Sequence, residues 1–323
     1  MFFSGHTEKV FQVAKKLTYS YITQPKQRDL FEVAFEGLKQ DLSIEPFVPF
    51  IQIPLYTRLG MGGHEEEAYP IAALNTLLFL GIDIMDDLAD GDLPLHWKHI
   101  KPADINLVAF TLLCALPQKI LSDDFNKSLA CKMAMHTALA NGFMKMSAGQ
   151  HQDLAMVQET PLASEGVLKS VIQKSGEELA LFTKLGGLYH DLSSDQIGLL
   201  YDFGLHLGTA AQISSDCYDI FEASLSRDLA NGARTLPLAL HLEKLGTENK
   251  KSFLTLLNEV QKDPSLREVI KNELIERGSL RHAALMVEYY CQKANSTLSH
   301  MALNQNAKTL LKNVADHVSF FSK

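Results

Sequence analysis

The chain has 323 residues, 46% hydrophobic and 21% charged, with a formal net charge of −8. Such a composition supports a globular protein with a sizeable core, and an acidic balance without a Lys/Arg stripe gives no footprint for nucleic acid. Four widely spaced cysteines without a CxxC pair give neither a disulfide framework nor a zinc knuckle, so buried free thiols are expected.

The opening MFFSGHTEKV has no basic stretch leading into an apolar core, so no signal peptide is expected. No run of about 18 uncharged apolar residues is found, so no membrane span is expected and a cytoplasmic location follows. Further along, Glu65 to Asp90 is mostly apolar, with no Gly or Pro between Ile71 and Leu80, which suits a buried helix. Similar spacing predicts helices over 103–121, 125–156, 164–189, 195–223 and 278–300. Turn signals separate them at Gly91 to Pro94, Thr160-Pro161, Asp191 to Ser194 and Lys262 to Pro264. Ser164-Glu165 and Ser194-Asp195-Gln196 read as helix starts. Ser122 followed by Asp123-Asp124 reads as another, its acids placed to suit the helix dipole. Met133, Met135, Met144 and Met146 share one helical pattern and are expected in the core or lining a cavity. His96 and Trp97 read as packing residues. Hairpin dipeptides between alternating runs are missing, so the fold class is all-α, one large helical domain over residues 1–323. No HExxH, GxSxG, GxGxxG or P-loop spacing occurs.

The chemistry-bearing stretch is GIDIMDDLADGD, with acids at 83, 86, 87, 90 and 92. At helical spacing, Asp83, Asp86, Asp87 and Asp90 share a face. Like charges stacked at the C-terminal end of a buried helix are opposed both by one another and by the helix dipole. A hard divalent cation resolves that conflict, and magnesium commonly bridges carboxylates to a substrate phosphate. A second stretch, AAQISSDCYDIFEASLSRDLANGARTLPLAL, places Gln212, Ser215, Asp216 and Asp219 on one helical face, followed by Asp228, Arg234 and Thr235.

Together these stretches resemble the trans-isoprenyl diphosphate synthase (polyprenyl synthetase) family. Asp86-Asp87-Leu88-Ala89-Asp90 resembles that family's first aspartate-rich motif, DDxxD, and Gln212 to Asp219 its second, FQxxDDxxD. Asp228 to Pro237 is similar to the family's DxxxGKxTLP element. Lys174-Ser175 stands where the family has Lys-Thr, Gly149-Gln150 with Asp153-Leu154 matches GQxxDL, and Gly278-Ser279-Leu280 opens a similar C-terminal helix pair. The resemblance implies a single antiparallel bundle of long helices around a central cavity, with the two aspartate motifs facing each other at its mouth. It implies three magnesium ions there, gripping the diphosphate of an allylic substrate so that its carbon–oxygen bond ionises, with the hydrocarbon tail shielded inside. Asp86, Asp87, Asp90, Asp216 and Asp219 are the implied magnesium ligands. Lys174 and Arg234 would contact diphosphate oxygens, Gln212 and Gln150 would line the polar mouth, and a homodimer is expected.

Departures from the family pattern narrow the reading. The Gly-Gly-Lys-Arg-like motif that holds isopentenyl diphosphate is missing: EPFVPFIQIPLYTRLGMGG offers only Arg58. The Arg-Arg pair after the first motif is replaced by GDLPLHWKHIKP, with Lys98 and Lys101. A second diphosphate without compensating cations is unfavourable. Ser215 stands for the leading Asp of the second motif, Ala211 for its aromatic, and Ala233 for the Lys of GKxT. Ionisation is therefore expected to survive with a different acceptor. This pattern is similar to ComQ-type prenyltransferases, which modify a tryptophan of a precursor peptide. Terpene synthases on the same fold are the alternative, and a chain-elongating synthase or its regulatory subunit is a further one. Gly81, upstream of Asp86, reads as leaving room for a tail of farnesyl size or longer.

Overall fold

The computed structural model describes residues 4–44, 47–91, 93–156, 163–222 and 226–321; Asp92 and the expected Thr160-Pro161 turn lie outside them. No strand occurs among the described residues. In chain order the helices are α1 (Ser4–Tyr21), α2 (Pro25–Ile44), α3 (Pro49–Gly60), α4 (Tyr69–Asp90) and α5 (Pro102–Asp124). They continue with α6 (Leu129–Met156), α7 (164–189), α8 (Ser194–Phe221), α9 (Arg227–Asn231) and α10 (Leu236–Lys244). The last four are α11 (Thr247–Glu259), α12 (Leu266–Glu276), α13 (Ser279–His300) and α14 (Gln305–Val318). They fall into two compact units. The first comprises Met1–Ala140, Leu181–Leu200 and His300–Val314; the second Asn141–Ala180, Tyr201–Ser299 and Ala315–Lys323.

In the first unit α4 is the central helix, and α1, α3 and α5 pack against it. Its sequence YPIAALNTLLFLGIDIMDDLAD is apolar on nearly every side, as a core helix must be. Pro70 sits in the first turn, where its missing amide is harmless, and Gly91 ends the helix in the left-handed region, its N–H on the carbonyl of Asp87. Leu74, Leu77 and Leu78 are fully buried, each contributing about 1.5–3 kcal/mol of transfer free energy. Pro54, inside α3, has no amide for the carbonyl of Phe50. Asn75 Nδ2 of α4 supplies the donor instead, 3.2 Å from Phe50 O and 3.3 Å from Phe182 O. Phe50 stacks on Phe79 at 4.3 Å between ring centroids and meets the edge of Phe182 at 6.3 Å.

Gly81 does not open a cavity. A Cβ there would lie 2.8 Å from Leu113 Cγ and 2.9 Å from Leu112 Cβ, so the residue is a glycine because α4 and α5 touch at that point. Asp123 and Asp124 also differ from expectation: they close α5 in a π turn instead of opening a helix. Lys119 pairs with Asp123 at 2.5 Å, and Tyr21 donates to Asp124 at 2.7 Å. Met135 and Met146 are buried, whereas Met133 and Met144 are exposed. Cys217 and Cys291 are buried free thiols, Cys131 is half-buried and Cys114 exposed. Trp97 is buried, as a packing residue should be.

Two helical stretches, Glu65–Asp90 and Pro102–Asp124, are long and apolar enough to cross a bilayer by length and composition alone. The apolar window of the first is 67% buried within the fold, that of the second 44%. Protein already covers most of the first.

In the second unit, α7 contains a π turn at Ile172–Gly176. α10 packs on the first part of α7 and on α12, which packs on α11. α8 comes so close to α7 that a Cβ at Gly208 would collide with the carbonyl oxygen of Ser175.

Candidate functional site

The first unit carries the DDxxD stretch on the last turns of α4. Asp83, Asp86 and Asp87 are half-buried and Asp90 is exposed. Their oxygens are hard donors, and the negative end of the α4 dipole adds to the attraction for a cation. Among the described residues no group of three or more His, Cys, Asp or Glu side chains is gathered to hold a metal ion unaided. Magnesium usually keeps several waters and takes one or two carboxylates together with phosphate oxygens. The donor set therefore fits an ion that arrives with a diphosphate better than a preformed protein cage.

The second unit brings together the remaining sequence-predicted residues. The π turn, a rare widening that recurs at functional sites, carries Lys174. Lys174 Nζ lies 3.3 Å from Asp153 Oδ2. Ser175 donates to Gln212 Oε1 at 2.7 Å, and Gln212 Nε2 donates to Asp216 Oδ1 at 2.9 Å. Asp216 is 4% exposed. Burial pushes its carboxyl up to about 6, while the Gln212 amide, the Leu236 N–H and Lys174 pull it down and Asp153 raises it. Asp219 accepts the Ser226 hydroxyl on Oδ2 and the Arg227 amide on Oδ1, the latter at 3.0 Å. The Gln150 amide has both polar atoms buried without a hydrogen-bond partner among the described residues, and the same holds for Arg234 Nη1 and Thr235 Oγ1.

Ser226 and the backbone amide of Leu236 are participants that the sequence reading missed. The order Ser226-Arg227-Asp228-Leu229, a helix-capping pattern, was the available signal for the first; nothing in the sequence marks the second. Arg58, the lone cation of the stretch matching the Gly-Gly-Lys-Arg-like motif but several residues out of place in it, is bound to Glu67 through Nη2 at 2.5 Å and Nε at 2.9 Å. Lys98 and Lys101 are exposed.

With this geometry in place, the comparison with known proteins is decisive. The polyprenyl synthetase family model matches residues 101–274. The chain belongs to the polyprenyl synthetase family. It is thus an enzyme of the prenyltransferase class, and the family works on allylic diphosphates. The matched span includes Gln150, Lys174, Gln212, Asp216, Asp219 and Arg234; Asp86 to Asp90 precede it. Similar proteins include the geranylgeranyl diphosphate synthase of Saccharolobus solfataricus, 26% identical over 79% of this chain and 80% of that one. The tryptophan prenyltransferase ComQ of Bacillus subtilis is 27% identical over 73% of this chain and 76% of its own. The fold is shared with the geranylgeranyl pyrophosphate synthetase of Pyrococcus horikoshii, at TM-score 0.78 and 20% identity, covering 97% of this chain and 99% of that one. It is shared equally with the geranylgeranyl pyrophosphate synthase of Corynebacterium glutamicum, solved with isoprenyl diphosphate and magnesium. That match has TM-score 0.79 and 16% identity, with 99% of each chain covered.

Proposed function

We propose that this polyprenyl synthetase ionises an allylic diphosphate of farnesyl size or longer and passes the prenyl group to an acceptor other than isopentenyl diphosphate. The observation that carries the reading is the set of polar groups left without partners in the second unit. Arg234 Nη1 and the Gln150 amide are buried with nothing described to bond, in the unit that also holds Lys174. Buried polar atoms of this kind are costly unless a ligand completes them, and a diphosphate supplies acceptors for the guanidinium, the amide NH2 and the ammonium. Lys174 would exchange Asp153 for the substrate's oxygens, and Arg234 would gain a charge-assisted bond.

Asp86, Asp87 and Asp90 would hold magnesium in the first unit, with Asp216 and Asp219 as further ligands and three ions as the expected number. When bound, magnesium neutralises the departing diphosphate. The side chains then orient the leaving group and exclude water from the allylic cation. The missing isopentenyl site supports a different acceptor: Arg58 is already neutralised by Glu67. A tryptophan-containing peptide is the acceptor class suggested by the similarity to ComQ. A single domain over residues 1–323, a homodimer and a cytoplasmic location complete the proposal.

The test incubates the protein and magnesium with geranyl, farnesyl or geranylgeranyl diphosphate, with and without isopentenyl diphosphate, and analyses the products by mass spectrometry. Magnesium-dependent substrate binding without elongation, and prenylation of a tryptophan peptide, are expected. Hydrocarbon released without isopentenyl diphosphate would establish the terpene-synthase alternative, and elongated diphosphate would refute the acceptor reading. Asp86→Ala and Asp90→Ala are each expected to lower the rate by about 10³-fold or more. Near-normal turnover in both would remove the first motif from the mechanism.

A further inference from the structure

Both carboxylates of the second aspartate stretch serve as caps for the helices that follow, and both caps act on one short segment. Asp219 accepts Ser226 Oγ on one oxygen and Arg227 N on the other, and Ser226 Oγ accepts Leu229 N at 3.1 Å, so Ser226 is the N-cap of α9. Asp216 accepts the amide of Leu236, the first residue of α10. Arg234 lies between these two anchors, half-buried, with Nη1 unpartnered among the described residues. Ser226 is 1% exposed and Asp216 4%, while Asp219 is half-buried and its bond to the Arg227 amide reaches the surface. A guanidinium held this way, short of an acceptor, is being held for an anion. The family places a lysine one residue earlier, at Ala233; here the shifted cation needs a backbone fixed at both sides.

We infer that Asp219, aligned by Ser226, is a positioning residue: it clamps the 226–236 segment so that Arg234 reaches the diphosphate, and it acts through that arginine and not as a magnesium ligand. This rests on the diphosphate reading and moves Asp219 from the metal set into the support of Arg234. A carboxylate turning to a metal with both oxygens would surrender two caps at once, each a bond whose loss leaves a buried or helix-terminal group unsatisfied.

The experiment compares the full-length chain with its Ser226→Ala, Asp219→Ala, Arg234→Gln and Asp219→Ala/Arg234→Gln variants, using inorganic pyrophosphate as the probe. Titration calorimetry gives pyrophosphate affinity across magnesium concentrations, and hydrogen exchange reports the amides of 227–231 without ligand. Ser226→Ala and Asp219→Ala are expected to raise exchange in α9 and to weaken pyrophosphate by about tenfold, as the loss of one cap and one charge-assisted bond would. The magnesium concentration for half-maximal binding should stay within about twofold, because no metal ligand is lost. The double variant should bind little worse than Arg234→Gln alone, the mark of two residues acting through one contact. Unchanged exchange in both cap variants would overturn the clamp. So would a magnesium requirement raised about tenfold by Asp219→Ala but not by Ser226→Ala. A wild-type chain that binds no pyrophosphate at any magnesium concentration would overturn the diphosphate reading itself, a result separable from either of those.

Discussion

Single residues decide how this site differs from its sequence description. Gly81 was the expected source of room for a long tail, yet it sits against Leu112 and Leu113. The residue facing along the line of the carboxylates is Phe79, seven positions before Asp86 and so on the same face of α4, about 10 Å down its axis. Phe79 is stacked on Phe50. Phe79→Ala is expected to shift preference toward longer allylic diphosphates, read as the ratio of kcat/KM for farnesyl and geranylgeranyl diphosphate; an unchanged ratio would place the tail elsewhere. His190 makes a different prediction. It is 8% exposed, and burial, then Arg58, lowers its pKa from 6.5 to about 4. The unfolded chain therefore binds a proton at pH values where the folded chain does not, and stability falls as pH drops through the range from 6.5 to 4. The loss is about 3 kcal/mol at most by pH 4. His190→Asn should flatten that part of a denaturant-midpoint-against-pH curve, and a wild-type midpoint that does not move over this range would contradict it.

Among the elements, α4 was the most legible: an apolar run with no Gly or Pro from Ile71 to Leu80, ended by Gly91, fixes a buried helix and the shared face of its acids. Asp219 was readable as an acid on a helix, but its partners, Ser226 and Arg227 N, belong to the N-terminus of α9, whose place beside Asp219 no local pattern dictates. The Asp123-Asp124 start failed because an acidic pair after a serine looks alike at either end of a helix until the partners, here Lys119 and Tyr21, are known. α3 and α4 illustrate a third class, a defect repaired from another helix. Pro54 leaves the Phe50 carbonyl without its amide, and the wholly buried Asn75 fills the gap. Asn75→Ala should cost about 2–3 kcal/mol in urea unfolding, because two carbonyls lose a shared donor. A loss under about 0.5 kcal/mol would mean that those carbonyls find other partners.

The whole molecule presents apolar surface that its own helices leave uncovered. Leu107 and Phe110 of α5 are 62% and 60% exposed, Leu129 and Met133 of α6 are 76% and 56% exposed, and all four belong to the first unit. Large apolar side chains left exposed are a common feature of association surfaces, so these four are the residues to test for the proposed homodimer. Leu107→Glu with Phe110→Glu is expected to turn the proposed homodimer into monomer by light scattering; an unaltered mass would assign the contact to other helices. The same fold also carries a slip in its own helical count. A π turn is an α-helix with one residue too many, so the stretch from Glu177 onward is rotated by about 100° from the phase set between Ser164 and Val171. An apolar stripe read straight through 164–189 falls out of step at Lys174, and an alignment against relatives lacking the extra residue must open a one-residue gap there. Removing that residue would make the helix regular and leave the side chains after it on their present bearings, so the change would fall on the turn that carries Lys174.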